Sequence, residues 1–274
     1  MKKKHIVNYI VLSIWALMIL LLLGWVVYSS FKNNIDIYKN PWALPHKIEI
    51  ENYISAWKVS NMQSYFLNSI VIVAASLIIC ILAASMAAYV LTRFRYRFRG
   101  LLLSLFIFGM SIPTQLILIP LYKQLMDINM INTRIGIVLV YSTLWMPFSI
   151  FVLTGFFKTI PSEIEESAAI EGCGEFRLFW RIMFPLVQPG VIAVTVFSFI
   201  GMWNEYMLAL TLTSKKELRT LSLGMYALKD SMRWSSNWGG LFAAFVIILI
   251  PSIIVFLTLR KYVIQGMTLG AVKG

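Results

Sequence analysis

Glu205 is the one carboxylate inside a long apolar stretch of this chain, in Gly201-Met202-Trp203-Asn204-Glu205-Tyr206. An unpaired carboxylate at the centre of a bilayer costs about 3 kcal/mol or more, so such a position points to a functional site. Asn204 precedes it, and successive residues on a helix diverge by about 100°. The two side chains therefore cannot both face lipid cheaply, and at least one is expected to face a cavity or another subunit. Amide and carboxylate groups pair well with the hydroxyls of a polar solute. The plainer alternative is that Glu205 is wetted at the outer end of a span. A second polar interruption is Ser111-Ile112-Pro113-Thr114-Gln115. Pro113 frees a backbone carbonyl, and Thr114 and Gln115 can hydrogen-bond across helices or into a cavity. A simple helix kink is the alternative there. Asn204, Glu205, Thr114 and Gln115 are the candidates for lining a path through a membrane.

Catalytic patterns are absent. The chain has no Gly-x4-Gly-Lys-Ser/Thr phosphate loop, no His-Glu-x-x-His and no Gly-x-Ser-x-Gly. Its two cysteines, Cys80 and Cys173, make no disulfide framework, and His5 and His46 lie in polar flanks without metal-ligand spacing. No metal site, no cofactor and no enzyme activity are expected on this chain.

The elements that must hold these residues follow from composition. The 274 residues are 59% hydrophobic and 13% charged, against about 25% charged in soluble domains. The net charge of +12 is better explained by basic residues flanking membrane spans than by nucleic acid. A bilayer needs about 20 apolar residues per helix. Six stretches qualify, at about 6–28, 66–91, 101–122, 135–157, 186–210 and 240–259. The expected fold is an all-α integral membrane protein with six transmembrane helices, one permease domain over 1–274. The first stretch is longer than the roughly 7–15 residues of a signal-peptide core and has no small-x-small cleavage pattern, so it reads as a retained anchor. Lys2, Lys3 and Lys4 abut it, and Arg93, Arg95, Arg97 and Arg99 crowd one tight turn. The positive-inside rule therefore predicts that both termini are cytoplasmic. The external segments are then 29–65, broken by Pro41 and Pro45, and 213–238, with a short helix around 221–229. Ala83, Ala84, Ser85, Ala87 and Ala88 give the second span a slim face for close helix approach. The inverted symmetry expected of many secondary transporters is missing.

The segment 158–185, between spans four and five, is the most informative. Pro161 stops the preceding helix, and Ser162 with Glu165 makes the spacing of a capping box. Glu163, Glu165 and Glu166 complement the dipole of the helix they open. Ser167, Ala168 and Ala169 keep its surface slim. Gly172 is expected to close it in the left-handed conformation. A second helix follows, with Phe176, Phe179 and Met183 on one face, and Pro185 is expected to end it and launch span five. This helix–Gly–helix hook suits docking into a partner's groove, although composition alone also permits a structural elbow.

Glu166-Ser167-Ala168-x3-Gly172-x9-Ile182-x-Phe184-Pro185 resembles the EAA loop of ATP-binding-cassette importer permeases, Glu-Ala-Ala-x3-Gly-x9-Ile-x-Leu-Pro. Ser167 and Phe184 are the departures. Ala88-Tyr89, the arginine-rich turn, Ile112-Pro113, Trp203-Asn204-Glu205 and the tail Gly266-x3-Gly270-Ala271-Val272-Lys273-Gly274 are similar to the carbohydrate-specific branch, in particular the six-span subunit of maltose-type importers. The resemblance implies a type I importer in a bacterial inner membrane. A second permease chain would complete the path, and two ATPase subunits would carry ATP and Mg. An extracellular or periplasmic sugar-binding protein would deliver a sugar, here an oligosaccharide. Glu166, Ser167, Ala168, Gly172, Ile182 and Pro185 would then transmit motion from the ATPase, while membrane lipids surround the spans and no nucleic acid is bound. An ion-coupled secondary transporter and a non-transport scaffold are the rival readings.

Overall fold

A chain segment in hydrocarbon must satisfy its own backbone polar groups, which a helix does within a single segment. The computed structural model describes residues 2–231 and 236–271, and its regular elements are all helical. They are α1 (Lys2–Ser29), α2 (Asn34–Lys39), α3 (Glu51–Ile54), α4 (Met62–Arg93), α5 (Arg99–Met110), α6 (Thr114–Asp127) and α7 (Arg134–Phe157). There follow α8 (Glu163–Ile170), α9 (Glu175–Leu178), α10 (Phe184–Leu186), α11 (Gln188–Asn204), α12 (Met207–Leu212), α13 (Leu221–Ser231) and α14 (Trp238–Ala271). Single π-helical turns sit at Ser55–Val59 and Phe179–Met183. Of the expected tail motif, Val272, Lys273 and Gly274 lie outside the described residues, as do 232–235 of the expected external stretch.

Among the described residues, four helices are long and apolar enough to cross a bilayer alone: Ile6–Ser29 within α1, α4, α7, and Trp238–Lys261 within α14. The number reaches six if two bent pairs each count as one span. The stretch 101–122 is therefore not the straight helix its hydropathy suggests: α5 and α6 meet at 103°. Gly109, Ser111 and Pro113 fall within five residues, and each weakens a helix. Pro113 is extended (φ −60°, ψ 129°), and it drives the residue before it out of the helical region. Pro120, Pro147 and Pro251, set among strong helix formers, stay inside their helices. The stretch 186–210 is also interrupted. α11 starts at Gln188, after a 72° bend from the Glu175–Leu186 segment, and ends at Asn204, where Glu205 turns extended (φ −70°, ψ 128°).

The chain divides into two compact units, the first comprising residues 1–66 and 221–250 and the second 67–220 and 251–274. In the first, the segment after α1 is tied down by polar contacts. Lys32 is buried, its ammonium donating to the carbonyls of Asn40 (3.1 Å) and Pro41 (3.0 Å) and lying 5.2 Å from the Tyr28 ring centroid. Burial lowers its pKa, against the opposing charge of Asp36. Asn52 donates to the carbonyls of Ser30 and Lys32.

The second unit has a core in which Ala84, Ala88 and Tyr89 of α4, Ile150, Leu153 and Phe157 of α7, and Val194 of α11 pack together. The small-residue face expected on α4 is thus used for packing, since Ala84, Ser85 and Ala88 are fully buried. Ala168, Leu178, Phe179 and Met183 belong to the same cluster, so the segment between α7 and α11 is rooted in the helix core. The short helix expected near 221–229 is α13.

Candidate functional site

α8 carries Glu163, Glu165 and Glu166 in its first turn, where carboxylates offset the positive end of the helix dipole. The capping box is not formed. Ser162 is itself in the right-handed helical region (φ −69°, ψ −24°) and makes no side-chain cap. Glu165 points elsewhere, its Oε1 lying 2.8 Å from Arg93 Nε. Burial raises the Glu165 carboxyl pKa against the pull of the Arg93 cation, and the charge of Glu175 adds to the rise.

α8 closes as its sequence requires. Gly172 N–H donates to Ala169 O (3.0 Å) and Cys173 N–H to Ala168 O (2.9 Å), the paired bonds of a Schellman turn. Gly172 has φ +78° with open space around it, so any side chain there meets backbone strain rather than a clash. Gly172→Val is expected to cost about 1–2 kcal/mol in the turn and to misdirect α9. The measurement is solute uptake at matched membrane expression; normal uptake would show that the turn's geometry is dispensable.

Beyond the turn the expected apolar stripe does not hold. Phe179 and Met183 are buried, but Phe176 is 79% exposed. The turn Phe179–Met183 is π-helical, with Phe184 N–H bonded to Phe179 O, so α-helical spacing fails there. Pro185 also does not end the helix. It occupies the first turn of α10, and the chain bends two residues later, at Val187. Of the residues matching the loop motif, Glu166, Ser167, Gly172 and Pro185 are exposed, Ile182 is partly buried and Ala168 is buried. Ser167 Oγ donates back to Glu163 O (2.8 Å). The reading from sequence missed Ile170, which is 88% exposed. Ile170 and Phe176 flank the Gly172 turn as two protruding apolar side chains, although Ile170 reads like any apolar position of a short helix.

The four path candidates are not brought together. Glu205 is not on a helix with Asn204, as the reading of one continuous span required. Its carboxylate accepts from the N–H groups of Leu208 (2.7 Å) and Ala209 (3.2 Å) and from Tyr141 OH (2.7 Å). It thereby caps α12 and fastens the α11–α12 break to α7, because side-chain bonds to local backbone compete with helix continuation. Asn204 is exposed, its amide folded back onto Ile200 O (2.8 Å). Gln115 is exposed, while partly buried Thr114 lines a pocket of about 430 Å³ with Gly109 and Met110 of α5, Trp145 and Phe148 of α7 and Phe197 of α11. Trp145 links the two features: its ring lies 6.0 Å from that of Tyr141. It also packs so close to α11 that a Cβ on Gly201 would meet it at 2.6 Å. Tyr141 and Trp145 carry no signal in the sequence beyond being aromatic residues in an apolar run.

Residues 80–269 match the family model described as binding-protein-dependent transport system inner membrane component. The chain belongs to that family. This inner membrane component is 34% identical over 267 residues to the diacetylchitobiose uptake system permease protein NgcG of Streptomyces coelicolor, covering 97% of the chain and 88% of the relative. It is 31% identical over 247 residues to the melibiose/raffinose/stachyose import permease protein MelC of Bacillus subtilis, covering 90% and 88%. It is also 31% identical to the multiple sugar-binding transport system permease protein MsmG of Streptococcus mutans over the whole of both chains. A bacterial ABC transporter chain involved in import of the polysaccharide alginate shares the fold (TM-score 0.82, 22% identity, 95% and 96% covered). The family is a transport component rather than a catalyst, and it works with a partner permease, an ATPase and a substrate-binding protein.

Proposed function

We propose that the chain is the permease subunit of an ATP-driven oligosaccharide importer. In this reading it crosses the inner membrane six times as one permease domain, with α5–α6 serving as a broken third span. It forms half of the translocation path with a second permease chain, takes solute from a sugar-binding protein, and stands on two ATPase subunits that carry ATP and Mg. The observation that carries the reading is the hook α8–α10. It displays Ile170 and Phe176 on either side of a Schellman turn, while Ala168, Leu178 and Phe179 root it among α4, α7 and α11. Such a device receives force on its exposed side and delivers it to the spans. Glu166, Ser167, Gly172 and Pro185 belong to that exposed side, and Ala168 and Ile182 to the root. The relatives named for oligosaccharide uptake support the sugar class. Thr114 and Glu205 lie in or beside the path, whose aromatic wall at Trp145 suits the apolar face of a sugar ring. Asn204 and Gln115, being exposed, are placed toward the companion permease.

The test is reconstitution with the cognate ATPase, companion permease and binding protein in liposomes. Sugar should accumulate with ATP and Mg present and without any ion gradient. Uptake that follows an ion gradient and ignores ATP would refute the reading.

Both termini and the hook are assigned to the cytoplasmic side, and 213–231 to the outside. In a Cys80→Ala, Cys173→Ser background, Lys216→Cys should react with an impermeant thiol reagent on intact cells, whereas Glu171→Cys should react only after lysis. The reverse pattern would invert the topology.

A further inference from the structure

Resting on the coupling role proposed for the hook, we infer that Arg93 is a positioning residue that fastens α8 to the end of α4 and to the end of α7. The three elements then move as one body when the ATPase pulls.

Arg93 is the last residue of α4. One guanidinium nitrogen donates to the carbonyl of Phe157 (2.9 Å), the last residue of α7, and to that of Ile160 (2.6 Å) in the following turn. Nε meets Glu165 of α8 at 2.8 Å. These contacts bridge the weakest link of the hook. No helical ladder runs from α7 into α8: Ile160 N–H bonds back to Phe157 O, while Glu165 and Glu166 N–H start afresh from Ser162 O. Pro161 between them offers no N–H. A pull applied at Ile170 or Phe176 would otherwise be absorbed by backbone rotation in 158–162. A planar guanidinium suits this task, because its terminal N–H groups fix both carbonyls while its spread charge pairs with the Glu165 carboxylate as an ion pair; a lysine ammonium holds a point. Of the other arginines in that turn, Arg95 and Arg97 are exposed, as residues that only set topology should be. Ala168 remains seated in the apolar core beside Ala88 and Phe157, so the fold does not depend on Arg93 alone.

The experiment compares Arg93→Met, Arg93→Lys and Glu165→Gln in the reconstituted complex, reading sugar imported per ATP hydrolysed. Arg93→Met should continue to hydrolyse ATP but move about tenfold less sugar per ATP. Arg93→Lys should recover part of the ratio, and Glu165→Gln should lose less, because both carbonyl contacts survive. Spin labels at Val90→Cys and Ala169→Cys supply a second reading that needs no turnover. Their distance distribution should be narrow with Arg93 and broad in Arg93→Met. A wild-type sugar-to-ATP ratio in Arg93→Met, or an unbroadened distance, would overturn the inference; so would a lower yield of complex at an unchanged ratio, which marks a merely structural residue. A wild-type complex that imports nothing with ATP would instead sink the coupling role, while the spin-label distances still report whether Arg93 holds the hook.

Discussion

Phe176→Ala is expected to weaken attachment of the ATPase about thirtyfold. An aromatic side chain buried at the centre of an interface is worth about 2 kcal/mol or more on truncation, and each 1.4 kcal/mol is about tenfold in affinity. Phe176 is 79% exposed in the chain alone, so nearly all its burial remains to be gained from a partner. Its ring stands against Trp180, with centroids 6.2 Å apart, and Trp180 packs in turn on Phe179 and Phe184. The protruding ring therefore has a stiff base and loses little freedom on docking. Ile170→Ala should act in the same direction with a smaller effect, since it removes less surface. The measurement is titration of purified ATPase onto the permease pair in nanodiscs. Leu44→Ala serves as the control: Leu44 is comparably exposed at 73% but lies in the segment assigned to the outside. Equal affinity of the Phe176→Ala and wild-type complexes would remove Phe176 from the interface.

Glu205→Leu should cost about 2–4 kcal/mol of stability. Leaving a buried hydroxyl without its partner costs about 1–3 kcal/mol, and losing a helix N-terminal cap about 1 kcal/mol. Here both losses fall on one substitution: Tyr141 OH is orphaned, and the Leu208 and Ala209 N–H groups lose their acceptor. Glu205→Gln keeps one acceptor oxygen and the shape, so it should recover most of the stability. Thermal unfolding in detergent and sugar uptake in liposomes together assign the role. If the carboxylate holds the α11–α12 break at the path, uptake and melting temperature fall together in Glu205→Leu and return together in Glu205→Gln. Loss of uptake in Glu205→Gln at wild-type stability would mean that the charge itself meets the solute. Unchanged uptake and stability in Glu205→Leu would leave the residue with neither role.

The hook was legible in the sequence because its signals are local. The turn at Gly172 closes α8 through bonds from Gly172 and Cys173 to residues three and five positions back, and the acidic first turn of α8 lies within four residues of its start. The slim face of α4 was legible for a similar reason, since small residues at helical spacing state a packing surface by themselves. The misread features share the opposite property. Arg93 reads as one of four arginines in a basic turn, yet its partners lie 64 and 67 residues away, at Phe157 and Ile160. Glu205 reads as a costly charge inside a span until Tyr141, 64 residues away, is brought beside it. The capping box is not formed because Ser162 itself takes the helical conformation and the Glu165 carboxylate lies against Arg93 rather than its own backbone. Hydropathy sums over a stretch and records no direction, so the 103° turn at Pro113 left no trace in it.

The π-helical turn Phe179–Met183 has a consequence for how this hook tolerates change. A π turn holds one residue more than an α turn and absorbs it locally, its Phe184 N–H still closing on Phe179 O. Deleting a single residue there would therefore restore an ordinary helix while leaving Phe176, Gly172 and Ile170 pointing nearly as before. The same deletion in a plain α-helix such as α11 would swing everything before it by about 100° and advance it about 1.5 Å. The aim of the hook thus tolerates a change of length at 179–183 that a regular helix would not.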